Sequence, residues 1–164
     1  AVDVGYGQLA WKLQSDPRVE VHDRTNVRTL DPASVAPAPD IVVGDMSFIS
    51  LTLVLPALVA AAAPDADFLL MVKPQFEIGK ERLGHGGVVR NPEHHVETVE
   101  NVARCAIGLG LDIAAIAPSP LPGPSGNVEY FLYMRRDYPE PINPQELTEH
   151  IRRAVAEGPA GGAL

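Results

Sequence analysis

Four charged residues lie at the ends of apolar runs, where their side chains could take part in a reaction. Asp3, Asp45 and Lys73 each follow an apolar run, and Glu129 opens another, in "GNVEYFLYM". A lysine held between two carboxylates keeps its ammonium charged, and such a group can stabilise an alkoxide developing on an attacking hydroxyl. To act as a general base Lys73 would have to be neutral, which would require a second positive charge nearby. The residue types therefore favour chemistry at a hydroxyl group.

Alternating strands and helices are predicted to position these side chains. The pattern predicts strands at 1–4, 19–21, 39–44 and 68–72, with helices at 7–15 and 50–63 between them. The run Ile41-Val42-Val43 is typical of a parallel strand buried on both faces. This alternation indicates a parallel, doubly wound α/β sheet, in which ligands bind at the carboxyl ends of the strands. Asp3, Asp45 and Lys73 all lie at such ends.

The second half of the chain completes the sheet and brings Glu129 to the same rim. Asn91-Pro92 is a typical helix start, and the glycines at 108 and 110 mark its end. The strands predicted at 113–117 and 128–135 are joined by a loop too short for a crossover helix, so the last strand should be antiparallel. Its reversed direction would place Glu129 beside the ends of the other strands.

Residues 137–164 are predicted to form a linker, a helix and a tail after a catalytic domain at 1–136. The stretch "NPQE" at 143–146 resembles a capping box that opens a helix running to about Glu157. The last seven residues, "GPAGGAL", are expected to be frayed.

Composition limits the classes of partner. The chain has 164 residues, 46% of them hydrophobic, which suits one α/β domain with a sizeable core. Its net charge of −8 disfavours gripping a nucleic-acid backbone unaided, so a polyanionic partner would need a basic patch or an added domain. One cysteine and the absence of a leader pattern favour the cytoplasm, and no apolar run is long enough to cross a bilayer.

Five motifs in order resemble a known family. They are "AVDVGYGQLAW", "RTN" at 24–26, "DIVVGDMSFIS", "LMVKPQFEIGK" with "GHGGVV", and "SPLPGPSGNVEYFL". Together they are similar to the TlyA-type branch of the FtsJ-like ribosomal RNA 2′-O-methyltransferases, some of which carry the name hemolysin. The resemblance covers residues 1 to about 136.

The resemblance implies a Rossmann-like fold, with a mostly parallel sheet and an antiparallel last strand, that binds S-adenosylmethionine and methylates a ribose 2′-hydroxyl of ribosomal RNA. Asp45, Lys73 and Glu129 match the last three members of the family's lysine, aspartate, lysine, glutamate tetrad. The residues matching cofactor contacts are Asp3, Val4, Asn26, Asp45 and Met46. No metal is implied.

Several family features are expected upstream of Ala1. These are the first catalytic lysine, the first strand, the Gly-rich cofactor loop and a small RNA-binding S4 domain. The segment alone is therefore expected to be poorly packed at the missing strand and inactive, and the absent lysine would supply the second positive charge that a neutral Lys73 requires. The sequence leaves the oligomeric state open.

Three alternatives remain open. "DMSF" at 45–48 could be a variant of the motif that holds an exocyclic amine for nucleobase N-methylation, which would not need Lys73 or Glu129. A membrane-active hemolysin is disfavoured because no amphipathic helix has a basic face. A nicotinamide-binding fragment could be tested by cofactor competition.

His94 and His95 point about 100° apart on a helix, so they are interpreted as solvated residues rather than metal ligands.

Overall fold

A four-stranded sheet with helices packed against it organises the chain in a computed structural model, which describes residues 1–160. The strands are β1 (Ile41–Gly44), β2 (Asp67–Val72), β3 (Asp112–Pro118) and β4 (Tyr130–Arg135). The helices are α1 (Trp11–Gln14), α2 (Leu51–Ala61), α3 (Pro74–Glu77), α4 (Pro92–Gly108) and α5 (Leu147–Glu157). Short 3₁₀ turns lie at Val27–Thr29, Pro32–Val35, Lys80–Arg82, His85–Gly87 and Pro124–Gly126.

Strand direction confirms a mostly parallel sheet with a reversed last strand. The order is β1-β2-β4-β3, in which β1 and β2 are parallel while β4 is antiparallel to both β2 and β3. Three strands therefore run in one direction, and β4 is inserted between two of them in the opposite sense. The short connection between β3 and β4 contains no crossover helix, which explains why these two strands are antiparallel.

One face of the sheet forms the core. Phe68, Leu70, Leu132 and Met134 point to the same face and are fully buried, in one cluster with apolar residues of α2, α4 and α5. The three long helices therefore cover a single face within residues 1–160, and the expectation of a doubly wound sheet is not met there.

The opposite face corrects the prediction for the strand at 39–44. Ile41 and Val43 are 65% and 72% exposed, so β1 is not buried on both faces. It lies at the edge of the sheet, and its outward side chains meet no covering element within the described chain. An apolar run indicates that a strand can be buried, but neighbouring elements decide whether it is.

The N-terminal elements are shorter than predicted. The helix expected at 7–15 is a single turn, α1, and the strands expected at 1–4 and 19–21 are reduced to one parallel bridge between Val2 and His22. Trp11 and Leu13 are exposed, so α1 has no buried face, and a helix this short needs packing to persist. Gly7 has a positive φ of 66°, which also interrupts a helix at its predicted start.

Helix starts were predicted well in two places and wrongly in a third. Ser50 caps α2 through the amide of Thr52, and Asn91 Oδ1 accepts from the amide of Glu93 at the start of α4. The capping box at 143–146 does not form, because Asn143 Oδ1 accepts from Gln145 N within a turn, and α5 begins only at Leu147. Residues 161–164 of the tail predicted to be frayed lie outside the described residues.

Candidate active site

Sheet register brings Lys73 and Glu129 together. Val72 pairs with Tyr130 where β2 and β4 run antiparallel, so the next residue of β2 and the preceding residue of β4 face each other at the same rim. Asp45 directly follows β1, which is parallel to β2 and ends beside it. Three sequence positions 28 to 84 residues apart are thus placed at one rim by strand direction alone.

The ammonium of Lys73 lies between both carboxylates. Its Nζ is 2.6 Å from Asp45 Oδ1 and 3.7 Å from Glu129 Oε1, and it donates to Ser47 Oγ at 3.3 Å. The separation from Glu129 exceeds an ordinary hydrogen bond of about 2.7–3.2 Å. Neither Lys73 nor Glu129 therefore uses a hydrogen bond on the other, and both could bind one hydroxyl group placed beside them.

Burial makes these charges depend on one another. Lys73 and Glu129 are only 7% and 5% exposed, whereas the side chain of Asp45 is largely exposed. Removing one partner of a buried ion pair typically costs about 3–5 kcal/mol, because the other charge is left uncompensated. A buried ion pair is an inefficient source of stability, which favours a functional role for these three side chains.

Gln75 contacts the site, although the sequence interpretation did not single it out. Its Nε2 donates to Glu129 Oε1 at 3.1 Å, and its Oε1 is buried without a hydrogen-bond partner in the described chain. An unsatisfied buried acceptor costs about 1–3 kcal/mol. The available signal was a polar residue inside the run "LMVKPQF", two positions after Lys73.

Phe48 is a second residue of this region that was identified only as part of a motif. Its backbone has a φ of 64°, which is rare for a bulky residue, and its side chain is 90% exposed. The ring lies 5.0 Å from that of Phe76, which follows Lys73 by three residues. A strained backbone thus holds an aromatic ring in solvent close to the lysine segment.

Glu77 joins the two segments that carry Asp45 and Lys73. Its carboxylate accepts from Ser50 Oγ at 2.5 Å and from the amide of Leu51 at 2.8 Å, at the N-terminus of α2. Burial raises the pKa of Glu77, and the hydrogen bonds from Ser50 and Leu51 oppose that rise. The carboxylate therefore anchors the turn after Lys73 to the helix that begins shortly after Asp45.

The connection between α3 and α4 is anchored at its C-terminal end. Asn127 accepts from the amide of Val89 and donates to the carbonyl of Gly87, and His95 Nε2 bonds to Val89 O at 2.9 Å. The interpretation of His95 as solvated was wrong, since it is 1% exposed and its Nδ1 also contacts Tyr130 Oη. Burial lowers the pKa of His95.

The predicted cofactor residues are less closely associated. Asp3 accepts from the amide of Gly5, Asn26 caps the turn at Val27–Thr29, Val4 is exposed and Met46 packs against the core. Among residues 1–160, no hydrogen bond or ion pair joins these four side chains to Lys73 or Glu129. Of the residues predicted to contact the cofactor, only Asp45 lies in the lysine cluster, which consists of Asp45, Lys73 and Glu129.

The described residues contain neither a clustered metal site nor a helix able to span a membrane. Within residues 1–160 no group of three or more histidine, cysteine, aspartate or glutamate side chains is arranged to hold a metal ion. No helix in that range has the length and apolar character needed to span a membrane.

Comparison with known proteins identifies the class that this fold and site define. Residues 1–136 match the FtsJ-like methyltransferase family, and the chain belongs to that family. The chain is 52% identical over 159 residues to the 16S/23S rRNA (cytidine-2′-O)-methyltransferase TlyA of Mycobacterium tuberculosis, and this match covers 97% of the chain and 59% of the relative. It is 42% identical to YqxC of Bacillus subtilis over 96% of the chain and 56% of that protein.

A solved structure supports the fold assignment. A protein from Streptococcus thermophilus that carries the hemolysin name superimposes with a TM-score of 0.83 at 35% identity, over 95% of the chain and 57% of that protein. The α/β fold is therefore the Rossmann-like methyltransferase fold. The chain spans somewhat more than half the length of the curated relatives it matches.

Proposed function

We propose that the protein containing this chain transfers a methyl group from S-adenosylmethionine to a ribose 2′-hydroxyl of ribosomal RNA. The observation that carries the proposal is the Lys73 ammonium, buried between Asp45 and Glu129 at the strand ends. Membership of the FtsJ-like family and the similarity to a cytidine-2′-O-methyltransferase support the same chemistry. A target on the sugar also explains why the central group is a cation rather than a site for an exocyclic amine.

The side chains suggest distinct roles at the hydroxyl. Lys73 would donate to the 2′-oxygen and stabilise the negative charge that develops there. Glu129 Oε2 has no hydrogen-bond partner within residues 1–160, so it can accept from the hydroxyl, orient it, and take its proton as the methyl group passes from the sulfonium sulfur to the 2′-oxygen. Asp45 and Ser47 hold the ammonium in place from the other side.

The residues present are compatible with S-adenosylmethionine. This cofactor, when bound, supplies an electrophilic methyl group on a sulfonium ion. Asp3 is exposed and uses Oδ1 for the amide of Gly5, leaving Oδ2 to accept from ribose hydroxyls. Val4, Asn26, Asp45 and Met46 are proposed as further contacts.

RNA recognition is proposed to combine stacking with charge supplied elsewhere. The exposed ring of Phe48 offers a face on which an unstacked base could lie. Because the chain carries a net charge of −8, most phosphate contacts would come from another part of the protein, which we propose is an S4-type RNA-binding domain. A cytoplasmic location follows from a ribosomal RNA substrate.

Nucleoside analysis tests this function. The complete protein, S-adenosylmethionine and ribosomal RNA would be incubated, the RNA digested, and the methylated nucleosides separated by mass spectrometry. A methyl group on the sugar supports the proposal. A methyl group on the base would favour the alternative use of the 45–48 motif, and no methylation of ribosomal RNA would contradict both.

A further inference from the structure

Two residues outside the lysine cluster, Gln75 and Gly123, pack against the carboxylate of Glu129. The carboxamide of Gln75 donates from its Nε2 to Oε1 at 3.1 Å. Gly123 also lies against this carboxylate, since an added Cβ would come within 2.6 Å of Glu129 Cδ and would overlap Oε1 more closely than Oε2, which lies 3.1 Å away. The position of Glu129 is therefore defined by Gln75 and by backbone as well as by Lys73.

Chemistry fixes the orientation of the Gln75 carboxamide. An ionised carboxylate only accepts hydrogen bonds, so the NH₂ group must face Glu129. The carbonyl oxygen then points elsewhere and remains buried, with no partner in the described chain. A buried acceptor without a donor destabilises the fold. Gln75 therefore makes its hydrogen bond to Glu129 although its own carbonyl oxygen is left without a donor in the described chain.

The backbone that carries Gln75 is itself anchored. Gln75 lies in α3, which begins directly after Lys73 and has a proline at its first position. Glu77, in the same turn, is bonded to the N-terminus of α2. A long side chain on an anchored turn can hold its partner in one orientation.

We propose that Gln75 is a positioning residue for methyl transfer, which fixes Glu129 Oε1 so that Oε2 is presented to the substrate hydroxyl, with the backbone at Gly123 packed against the same Oε1. The inference rests on the proposed function. Gln75 acts through Glu129 and touches no reacting atom.

A shape-conserving variant, Gln75→Met, tests the proposal in the complete protein. It removes the orphaned carbonyl, which is favourable, but also leaves Glu129 Oε1 without its hydrogen-bond donor, so the two effects oppose each other and the variant should remain folded. We expect kcat to fall at least tenfold, while KM for RNA changes less than twofold. The matched control is Thr98→Val, which removes a buried hydroxyl bonded only to the carbonyl of His95 in its own helix and should leave kcat unchanged.

Crystal structures give a readout that does not depend on activity. In Gln75→Met the Glu129 carboxylate should rotate away from its wild-type position, and in Gly123→Ala the added methyl group should displace it even if Gln75→Met does not fold. Wild-type kcat in Gln75→Met, or an unmoved Glu129 in the variant that folds, would overturn the positioning role. If the wild-type protein methylates no RNA, the proposed function fails, while displacement of Glu129 still decides whether Gln75 and Gly123 hold it.

Discussion

Replacing Glu77 by Ala should loosen the connection between the Asp45 and Lys73 segments. The amide of Leu51 lies in the first turn of α2 and has no partner within that helix, so Glu77 Oε1 satisfies it. Leu51 is 2% exposed, and water could not easily replace the lost acceptor. The variant therefore leaves a buried donor unpaired.

The expected loss of stability can be estimated from these contacts. An unpaired buried donor costs about 1–3 kcal/mol, and the lost packing of the side chain adds about 1 kcal/mol. Relief of the buried charge offsets part of this cost, so we expect a net loss of about 2–3 kcal/mol in the free energy of unfolding. For a domain of this size the midpoint would fall by roughly 5–10 °C.

The pH dependence provides an independent check. Since burial raises the pKa of Glu77, the folded state holds this proton more tightly than the unfolded state. The contribution of Glu77 is fully present below the ordinary glutamate pKa of about 4.3 and is lost as pH rises through the raised folded pKa. Glu77→Gln keeps a carbonyl for Leu51 but cannot ionise, so its stability relative to wild type should increase across that window.

Denaturant unfolding followed by circular dichroism, at several pH values from 4 to 8, measures both effects. A loss below about 0.5 kcal/mol in Glu77→Ala would refute the anchoring role. A difference between wild type and Glu77→Gln that does not change with pH would refute the assignment of a raised pKa.

Two further predictions concern His95 and Phe48. Because burial lowers the pKa of His95, its contribution to stability is present above about pH 6.5 and is lost as pH falls through the folded pKa. The free energy of unfolding should therefore fall with decreasing pH by at most about 1.4 kcal/mol per pH unit from this group. His95→Gln should reduce this pH dependence in a denaturation series. If the free energy of unfolding of His95→Gln depends on pH as that of wild type does, the lowered pKa of His95 is contradicted. Phe48→Gly should stabilise the fold by about 1 kcal/mol, because glycine tolerates the positive φ, and should weaken RNA binding about fivefold or more if the ring stacks on a base. RNA affinity equal to wild type, measured by filter binding, would exclude that contact.

Much of the sheet and its rim could be predicted because local signals determined them. The short connection before β4 required an antiparallel strand, and that direction carried Glu129 to Lys73. Asn91 and the proline after it marked the start of α4 correctly.

The failures share a physical cause. Ile41, Val43 and Trp11 are apolar, yet they are exposed because burial depends on elements distant in sequence. Gln75 and Gly123 could not be recognised either, since their significance lies in contacts with Glu129 that only tertiary structure creates. Propensity and periodicity carry no information about such contacts.

The central claim is that the buried ammonium of Lys73 stabilises charge on a ribose oxygen. Methyl incorporation into ribosomal RNA by the complete protein tests it, with Lys73→Met compared against wild type and against Lys12→Met, the same change at an exposed lysine. We expect a loss of about 100-fold or more in kcat for Lys73→Met alone, with the fold retained by circular dichroism. Activity of Lys73→Met within threefold of wild type would contradict the account.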